Sequence, residues 1–432
     1  MINYRWSAHT GFFRARSRSG LLAPLALVLL MLGGCEGDTA GTAIDAANQP
    51  INTDANQNPV QNETTGGEET SEETVVPVGA VRTIQVNNVI LSSLPEGVAR
   101  APENAVELGR LLFWDPVLSG DQDVACATCH LPEFGYADGR ARSIGTGGVG
   151  TGPTRAAGTI GPVPRNAQSV LNTVWNGIDE FGVFDTSTAP MFWDARTESL
   201  ASQAVEPIRS REEMRGDNFS AAEIDTVVVN RINSIAEYQL LFEQAYGSNS
   251  VTLENIAQAL ADFQSTLIAN NSPFDRYLRG DTNAMTNAQL NGMAEFAENG
   301  CADCHSGPMF SDFEVHVLGV AEAQGLKEAD DGDGNFAFRT PSLRQLAFTA
   351  PYFHGGQENN LRDAIDFYDN NNNSNNPNVA NNQLDPDFRN IPNLNNNEIN
   401  AIEAFLSALN DTSFDRSRPT AVPSELPVGG AL

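Results

Sequence analysis

Two short cysteine motifs are the residues of this chain best suited to chemistry. Each has the pattern C-x-x-C-H. The attachment residues are Cys126, Cys129 and His130 in the first motif and Cys301, Cys304 and His305 in the second. This pattern attaches c-type haem: the thiols form thioethers, and the histidine becomes the proximal iron ligand. A single copy would also suit a thioredoxin-like redox pair or half of a zinc site, but two copies without further cysteines to complete a zinc set favour two haems.

The far side of each iron decides its chemistry, because an open position can bind peroxide and a filled one only passes electrons. The chain has five histidines, and none lies between His130 and His305. Within its own domain the first haem can therefore take as sixth ligand only Met191, Met214, a tyrosine or nothing. The candidates for the second haem are Met309, His316, His354 and Tyr368. Met309 is too close to His305 to reach the opposite face, so the usual His/Met pair is excluded there.

The composition indicates a folded and strongly acidic protein. The 432 residues allow two or three domains, and a hydrophobic content of 41% excludes wholesale disorder. A net charge of −30 argues against nucleic-acid binding, because no basic surface is available to neutralise phosphates. The acidity suits either a surface adapted to salty surroundings, which we slightly favour, or attraction of a basic partner.

Residues 1–34 have the features of an export signal. Four arginines precede an apolar stretch, Leu21–Leu32, that is too short to span a bilayer. The following Gly33-Gly34-Cys35 resembles the lipobox of bacterial lipoproteins, in which the cysteine is acylated and becomes the new N-terminus. The alternatives are an ordinary secretory signal with an incidental cysteine, or a short membrane anchor. We expect a lipid-anchored protein on the periplasmic side of a bacterial membrane.

Two segments are biased in composition. Residues 35–82 are acidic and polar, and they are predicted to form a disordered tether, because such a segment buries too little apolar area to offset its ordering entropy. Asn370–Asn400 is nearly half asparagine, and we expect a solvated loop without chemistry.

The rest of the chain is predicted to be mainly α, with long ordered loops. Hydrophobic periodicity predicts helices over Glu103–Phe113 and Glu398–Leu409. Another helix would bury Ile256, Leu260, Phe263 and Leu267 on one face. Thr286 and Gln289 form a capping box that starts a further helix. Both haem motifs thus follow an amphipathic helix.

From about residue 98 to residue 410 the chain resembles the bacterial di-haem cytochrome c peroxidase and MauG superfamily. The matching stretches are Glu107–Arg110, Leu118–Ser119, Arg165–Ala167, Phe192–Asp194, Gln203–Ala204 with Pro207, Glu213–Met214, Ser272–Tyr277, Arg339–Arg344 and Thr349–Gly355. The resemblance implies two cytochrome c-like domains, a peroxidatic one over 83–280 and an electron-transfer one over 281–415, followed by a tail over 416–432. It also implies one calcium ion between two covalently attached haems.

The resemblance also implies roles for individual residues. Gln203, Pro207 and Glu213 would line the distal pocket of the first haem, with Glu213 as the acid/base for peroxide. Trp193 would lie between the haems and relay electrons. Asn166, with the backbone of Thr349 and Pro351, would bind calcium. A separate EF-hand-like loop at Asp331–Asn335 is rejected, because Phe336 and Ser342 stand where that loop needs glycine and glutamate.

Two departures from the peroxidases of this superfamily point toward MauG. Tyr368 stands where those peroxidases usually have a methionine ligand to the second haem, and tyrosine stabilises higher oxidation states. The segment from Arg142 to Arg165 contains no histidine, so the first haem should be five-coordinate without reductive activation. His354 is expected to hydrogen-bond near the second haem, and His316 to be structural or exposed. Arg339 is a candidate partner of a haem propionate.

Three functions fit these residues. The first is reduction of hydrogen peroxide to water, with electrons from a donor cytochrome or cupredoxin passing through the second haem. The second is a MauG-like oxidase that uses peroxide to modify tryptophan or tyrosine of a partner protein, which Tyr368 favours. The third is a non-catalytic di-haem electron carrier, which the Gln203 and Glu213 pocket disfavours.

Overall fold

Two pairs of helices, each crossing closely at a glycine, form the framework around the C-x-x-C-H motifs. The computed structural model describes residues 77–369, 371 and 373–430. The predicted signal at 1–34, Cys35 and the tether up to residue 76 lie outside the described residues. The predicted end of the disordered tether at residue 82 is wrong, because Pro77–Val78 pairs with Gly97–Val98 and the backbone of Arg82 is hydrogen-bonded to Ser93. The described part of the chain clusters as one unit, and the predicted division at 280/281 stays a prediction.

The helices agree with the mainly α prediction. They are α1 (Glu103–Trp114), α2 (Cys126–Cys129), α3 (Leu200–Arg209), α4 (Ile224–Asn233), α5 (Ala236–Tyr246), α6 (Leu253–Gln264), α7 (Pro273–Leu278), α8 (Asn287–Glu298), α9 (Leu361–Asp369), α10 (Pro386–Asn390) and α11 (Asn396–Ser407). A π-helical turn spans Arg211–Arg215, and short 3-10 turns cover 116–118, 132–134, 152–154, 173–175, 301–303 and 381–383. Within the described ranges no helix is long and apolar enough to cross a membrane.

The strands are short and pair in antiparallel twos. They are β1 (Pro77–Val78), β2 (Thr83–Val86), β3 (Val89–Ser92), β4 (Gly97–Val98), β5 (Val315–His316) and β6 (Phe338–Arg339). β1 pairs with β4, β2 with β3 in the register Thr83 to Ser92, and β5 with β6 in the register Val315 to Arg339.

Each helix that precedes a haem motif crosses another helix at a glycine. A Cβ at Gly109 of α1 would lie 1.7 Å from the carbonyl oxygen of Ala259 in α6, and one at Gly292 of α8 would lie 1.8 Å from that of Ala401 in α11. The backbones approach this closely only because these positions carry no side chain. The crossings fix where α1 and α8 end, and thus where the two C-x-x-C-H motifs begin.

The hydrophobic core has two main clusters that follow these helix pairs. One contains Leu108, Leu112, Phe113, Leu260 and Phe263 with residues of α3, α4 and α5. The other contains Phe274, Met293, Phe296, Ile402 and Phe405. A third cluster, which includes Trp175, Met191 and Met309, contains residues from both parts of the chain.

The predicted bounds of α1 and α11 are confirmed within one to two residues, and α6 ends at Gln264, three residues before the predicted Leu267. The expected inward residues of α6 and α11 are buried, including Leu267 and Leu409 just beyond the helix ends. The capping box of α8 is present, with Thr286 N donating to Gln289 Oε1 at 2.9 Å and Gln289 N to Thr286 Oγ1 at 3.3 Å.

The prediction for the asparagine-rich segment is wrong in part. It contains α10, and it buries Val379, Leu384 and Phe388 in a small cluster packed against Phe367 and Tyr368. A few apolar residues spaced among the asparagines were enough to dock the segment beside α9, and composition alone conceals them.

Candidate functional site

The first motif begins twelve residues after α1 ends and folds as the short helix α2. Cys126 and Cys129 lie at its two ends, and His130 follows directly. The Nδ1 atom of His130 lies 2.9 Å from the carbonyl oxygen of Tyr136. A hydrogen bond there holds the ring through Nδ1 and leaves Nε2 for a metal.

The second motif repeats this geometry. α8 ends at Glu298, Gly300 takes a positive φ of 79°, and Cys301 begins a 3-10 turn. The Nδ1 atom of His305 lies 3.0 Å from the carbonyl oxygen of Phe310. Both histidines are therefore anchored by a backbone carbonyl five or six residues downstream.

The four motif cysteines are unpaired, and their surroundings do not suit thiol redox chemistry. Burial raises the pKa of Cys126 and that of Cys301 to about 12. Catalytic C-x-x-C pairs instead have a cysteine of lowered pKa. The thioredoxin-like alternative is therefore disfavoured.

One cavity of about 1210 Å³ is lined by both motifs, through Cys126, Cys129 and His130 of the first and Cys301, Cys304 and His305 of the second. This volume exceeds the roughly 300–1,000 Å³ of an ordinary ligand pocket. Its size and the two motif histidines in its lining fit two haem groups.

The structure brings the predicted distal residues together at the first motif. Gln203 and Pro207 lie on α3, and Glu213 lies on the π-helical turn that follows; all three line the cavity. Enclosure by the surrounding protein raises the pKa of the Glu213 carboxyl above its usual value, opposed by a hydrogen bond with Ser210 and the charge of Arg196. Raised pKa values of this kind are typical of proton-transferring carboxyls.

Trp193 is buried and fixed by polar contacts on both its ring and its backbone. Its Nε1 donates to the carbonyl oxygen of Asn166 at 3.0 Å, and its own carbonyl accepts from the Arg339 amide at 2.7 Å. The ring packs edge-on against His354, with centroids 6.5 Å apart. Trp193 lines the cavity shared by the two motifs.

His354 has a stacking environment that the sequence did not indicate. Its ring lies parallel to that of Phe338 at 3.8 Å, and its Nε2 is 3.5 Å from the amide nitrogen of Gln357. Burial lowers the pKa of His354 to about 4, so the ring is neutral.

Arg339 is a buried cation held by neutral acceptors. Its guanidinium donates to the carbonyl oxygens of Phe192 at 2.8 Å and Thr340 at 3.3 Å, and to the side-chain oxygen of Gln168 at 3.4 Å. Among the described residues it forms no ion pair, and burial lowers its pKa to about 10. A buried guanidinium whose hydrogen bonds all go to neutral acceptors, in the lining of this cavity, fits a haem propionate.

Arg165 joins two distant segments and was not assigned a role from sequence. Its guanidinium contacts Asp194 and Asp330, each at 2.7 Å, next to Trp193. The only signal in the sequence was its place in the Arg165–Ala167 stretch.

Tyr368 lies in an aromatic wall of the cavity at the second motif. Its ring centroid is 5.5 Å from that of Phe367 and 5.8 Å from that of Phe388. Within the described part of the chain its hydroxyl has no hydrogen-bond partner, and burial raises its pKa far above the usual value. A phenol oxygen without a protein partner, in a cavity that His305 also lines, fits a metal ligand.

The remaining ligand candidates have other contacts. The sulfur of Met191 accepts from the Asn176 amide at 3.4 Å, and Met214 is buried in the first core cluster. His316 is structural, as expected: its Nδ1 is 2.9 Å from Asp385 and its Nε2 is 3.0 Å from Asp312.

Three oxygens at the predicted calcium site accept no hydrogen bond from the described residues: the side-chain oxygen of Asn166 and the carbonyls of Thr349 and Pro351. All three residues line the same cavity. Uncommitted neutral oxygens of this kind are what a hard cation takes as ligands.

The chain was compared with known proteins. The sequence model of the family described as di-haem cytochrome c peroxidase matches residues 103–283. The chain is 36% identical over 286 residues to the methylamine utilization protein MauG of Methylorubrum extorquens, covering 63% of this chain and 70% of that one. It is 31% identical over 336 residues to the cytochrome c551 peroxidase of Nitrosomonas europaea, covering 76% of this chain and 86% of that one.

Solved structures of di-haem proteins also match this chain. A MauG-like protein associated with microbial copper homeostasis matches with a TM-score of 0.60 and 26% identity, over 74% of this chain and 95% of that one. The diheme peroxidase BthA of Burkholderia thailandensis matches with a TM-score of 0.58 over 83% of this chain and 99% of that one, and at 19% identity this likeness shows the fold alone. The chain belongs to the di-haem cytochrome c peroxidase family, and it is a haem-dependent oxidoreductase with two c-type haems.

Proposed function

We propose that this protein reduces hydrogen peroxide to water at the first haem, with electrons that a small cytochrome c or cupredoxin delivers through the second. The observation that carries this proposal is the position of Glu213, which lines the cavity with Gln203 and lies close enough to Cys126 and Cys129 for its charge to act on both thiols. A c-type haem held by His130 supplies an iron that takes up the oxidising equivalents of peroxide.

Side chains of the protein move the proton. Cleavage of the O–O bond requires that a proton leave the inner oxygen of peroxide and reach the outer one. The Glu213 carboxylate can accept this proton and return it, because the pKa of the carboxyl is raised toward neutral pH. The Gln203 amide can donate a hydrogen bond to the peroxide. The complete reaction consumes one peroxide, two electrons and two protons, and it releases two waters.

Electron transfer is supported by the rigid surroundings of Trp193. Its ring nitrogen and its carbonyl are both hydrogen-bonded, and Arg165 braces the segments on either side through Asp194 and Asp330. A fixed aromatic ring in the wall of the shared cavity suits a relay between two redox groups.

A MauG-like oxidation of tryptophan or tyrosine in a partner protein is the second candidate. Tyr368 favours it, because a tyrosine ligand lowers the reduction potential relative to methionine and stabilises oxidised states. The lack of histidine between residues 142 and 165 favours a first haem that reacts as isolated, in either function. A pure electron carrier would have no use for the Glu213 and Gln203 pair.

The test uses the oxidised holoprotein with both haems attached. Stoichiometric peroxide is added, haem spectra are followed by stopped flow, and turnover is then measured with reduced small cytochromes and cupredoxins. Rapid peroxide-dependent oxidation of the donor supports the peroxidase. A fast reaction with peroxide, followed by indifference to every donor, would instead favour the MauG-like function.

Glu213→Gln is the decisive variant and Glu254→Gln is its control. We expect Glu213→Gln to slow peroxide cleavage by about 10²–10⁴-fold with haem content unchanged. Glu254 is exposed on α6 and does not line the cavity, so its variant should keep the wild-type rate. Equal rates for Glu213→Gln and wild type would remove the proposed role.

Calcium and membrane anchoring complete the proposal. We propose that Asn166, Thr349 and Pro351 hold one calcium ion, which Asn166→Ala should release, as measured by metal analysis of the holoprotein. We also propose export and acylation at Cys35, so Cys35→Ser should move the protein from the membrane fraction to the soluble fraction. Retention of the metal or of the membrane location would contradict each of these.

A further inference from the structure

The turn that carries Glu213 is held by backbone contacts from two other parts of the chain. Gly120 N donates to the carbonyl oxygen of Met214 at 2.8 Å, and Thr146 N donates to that of Glu213 at 3.0 Å. Gly120 lies just before the first haem motif, and Thr146 lies in the segment 142–165. The π-helical turn therefore lies between these two segments.

The turn can approach these two segments so closely only because glycine stands at positions 120 and 145. A Cβ on Gly145 would lie 2.2 Å from the carbonyl oxygens of Glu212 and Glu213 and 2.7 Å from the Cα of Glu213. A Cβ on Gly120 would lie 1.9 Å from the carbonyl oxygen of Arg215. These atoms are backbone, so a side chain at either glycine must displace the turn itself.

The segment around Gly145 is in turn fixed from behind. The Arg155 guanidinium donates to the carbonyl oxygens of Ile144 at 2.7 Å and Gly145 at 2.8 Å. The Asp123 carboxylate accepts from Gly147 N at 2.6 Å and from Thr146 Oγ1 at 3.0 Å. Gly145 therefore cannot retreat without breaking these hydrogen bonds.

We propose that Gly145 and Thr146 are positioning residues that hold the Glu213 carboxyl in its place for peroxide. Asp123 and Arg155 anchor them, so the acid/base group is locked to the backbone of the first haem half and needs no rearrangement of its own. This inference rests on the proposed function for the role of Glu213. The new element is the backbone contact that positions Glu213.

Gly145→Ala is the test, and Gly161→Ala is the matched control. A Cβ at Gly161, which is exposed and lies in the same segment, would have no protein atom within 4 Å. Relief of the contacts at Gly145 requires the turn to shift by about 1 Å, and a misplacement of that size can cost about 10²-fold in rate. We expect kcat/KM for peroxide to fall about 100-fold in Gly145→Ala and to stay at the wild-type value in Gly161→Ala.

A double variant separates positioning from general damage. In the Glu213→Gln background, Gly145→Ala should cost little more, because the group that it displaces has already lost its function. Losses that multiply in the double variant would overturn the proposal, as would equal rates for Gly145→Ala and Gly161→Ala.

The pH profile gives a second signature. The charged groups around Glu213 are Arg196, Glu212 and Glu206, and Ser210 hydrogen-bonds to it. A displaced carboxyl gains water, so the acid limb of kcat/KM should move to lower pH in Gly145→Ala and stay unchanged in Gly161→Ala. An acid limb unchanged in both would contradict positioning.

Hydrogen–deuterium exchange of the holoprotein tests the contact without any activity. Gly145→Ala should speed exchange of the amide of Thr146, and Gly161→Ala should not. Unchanged exchange would overturn the proposal even if Glu213→Gln is inactive. Faster exchange with unchanged activity in Glu213→Gln would instead leave the contact standing and refute the acid/base role. If Gly145→Ala does not fold, Asp123→Asn, which weakens the anchor only, should give the same changes in smaller measure.

Discussion

The ion pair between Arg344 and Asp275 should be the most costly one to break in the described structure. Arg344 Nη1 and Nη2 lie 2.8 and 3.0 Å from the Asp275 carboxylate, and the two side chains are 2% and 0% exposed. The carboxylate also accepts from Leu94 N at 2.9 Å, and Arg344 Nε donates to the carbonyl oxygen of Pro308 at 2.6 Å. The pair thus ties α7 to the strand region and to the turn that follows His305.

Arg344→Met keeps an unbranched apolar stem and leaves the Asp275 carboxylate buried without its cation. Loss of one partner of a buried pair costs about 3–5 kcal/mol. For a domain of roughly 150–250 residues, about 2–4 °C per kcal/mol converts this to a fall in the melting temperature of about 6–20 °C. The control is Arg276→Met on α7, the helix that carries Asp275. Arg276 pairs with Asp281 at 3.7 Å, and these two side chains are 44% and 48% exposed. An exposed pair contributes only about 0–1 kcal/mol.

The assay is thermal unfolding of the holoprotein, followed by circular dichroism and by haem absorbance. Adding Asp275→Asn to Arg344→Met should restore part of the loss, because no charge then remains buried. Equal melting temperatures for Arg344→Met and Arg276→Met would refute this prediction, and so would a double variant less stable than Arg344→Met alone.

Two further predictions concern the second haem half. Tyr368→Met should raise the reduction potential of that haem, because methionine ligation raises it, and spectroelectrochemical titration would show an unchanged potential if Tyr368 is not a ligand. His316→Asn should destabilise the protein most at and below neutral pH, because hydrogen bonds with the Asp312 and Asp385 carboxylates raise the pKa of His316 well above its usual value. That stabilisation is complete below the unfolded pKa of about 6.5 and is lost as pH rises through the folded value. The gap in unfolding free energy between the two proteins, measured in urea, should therefore be larger near pH 6 than near pH 10; an equal gap would contradict the assignment.

The sequence was most informative where structure is local. The capping box of α8 and the hydrophobic face of α6 depend on residues three or four positions apart, and both were predicted correctly. The C-x-x-C-H motifs are local too, because attachment chemistry requires the two thiols and the histidine within five residues. The structure adds the carbonyls of Tyr136 and Phe310, which orient the two histidines.

Contacts between distant segments were not predictable in the same way. The chain after residue 415 looked like a tail, yet Ser424 Oγ donates to Asp115 at 2.6 Å and Val422 is buried in the first core cluster. Nothing in either segment announces its partner, because an ordinary serine and an ordinary aspartate form the bond. The asparagine-rich segment was misjudged for a related reason, since three apolar residues dock it and the average composition hides them.

The two halves share a framework, so the difference between their chemical roles must lie outside it. Gly109 and Gly292 give both halves the same close helix crossing, and a backbone carbonyl orients both motif histidines. What differs is the chain added around each motif. The first half adds the segment 142–165 and the π-helical turn, which together place a carboxyl at the cavity. The second half adds α9 and α10, which close the cavity with aromatic rings and a phenol. The carboxyl added in the first half suits the peroxide site that we propose, and the phenol added in the second suits the ligand that we propose for the electron-transfer haem.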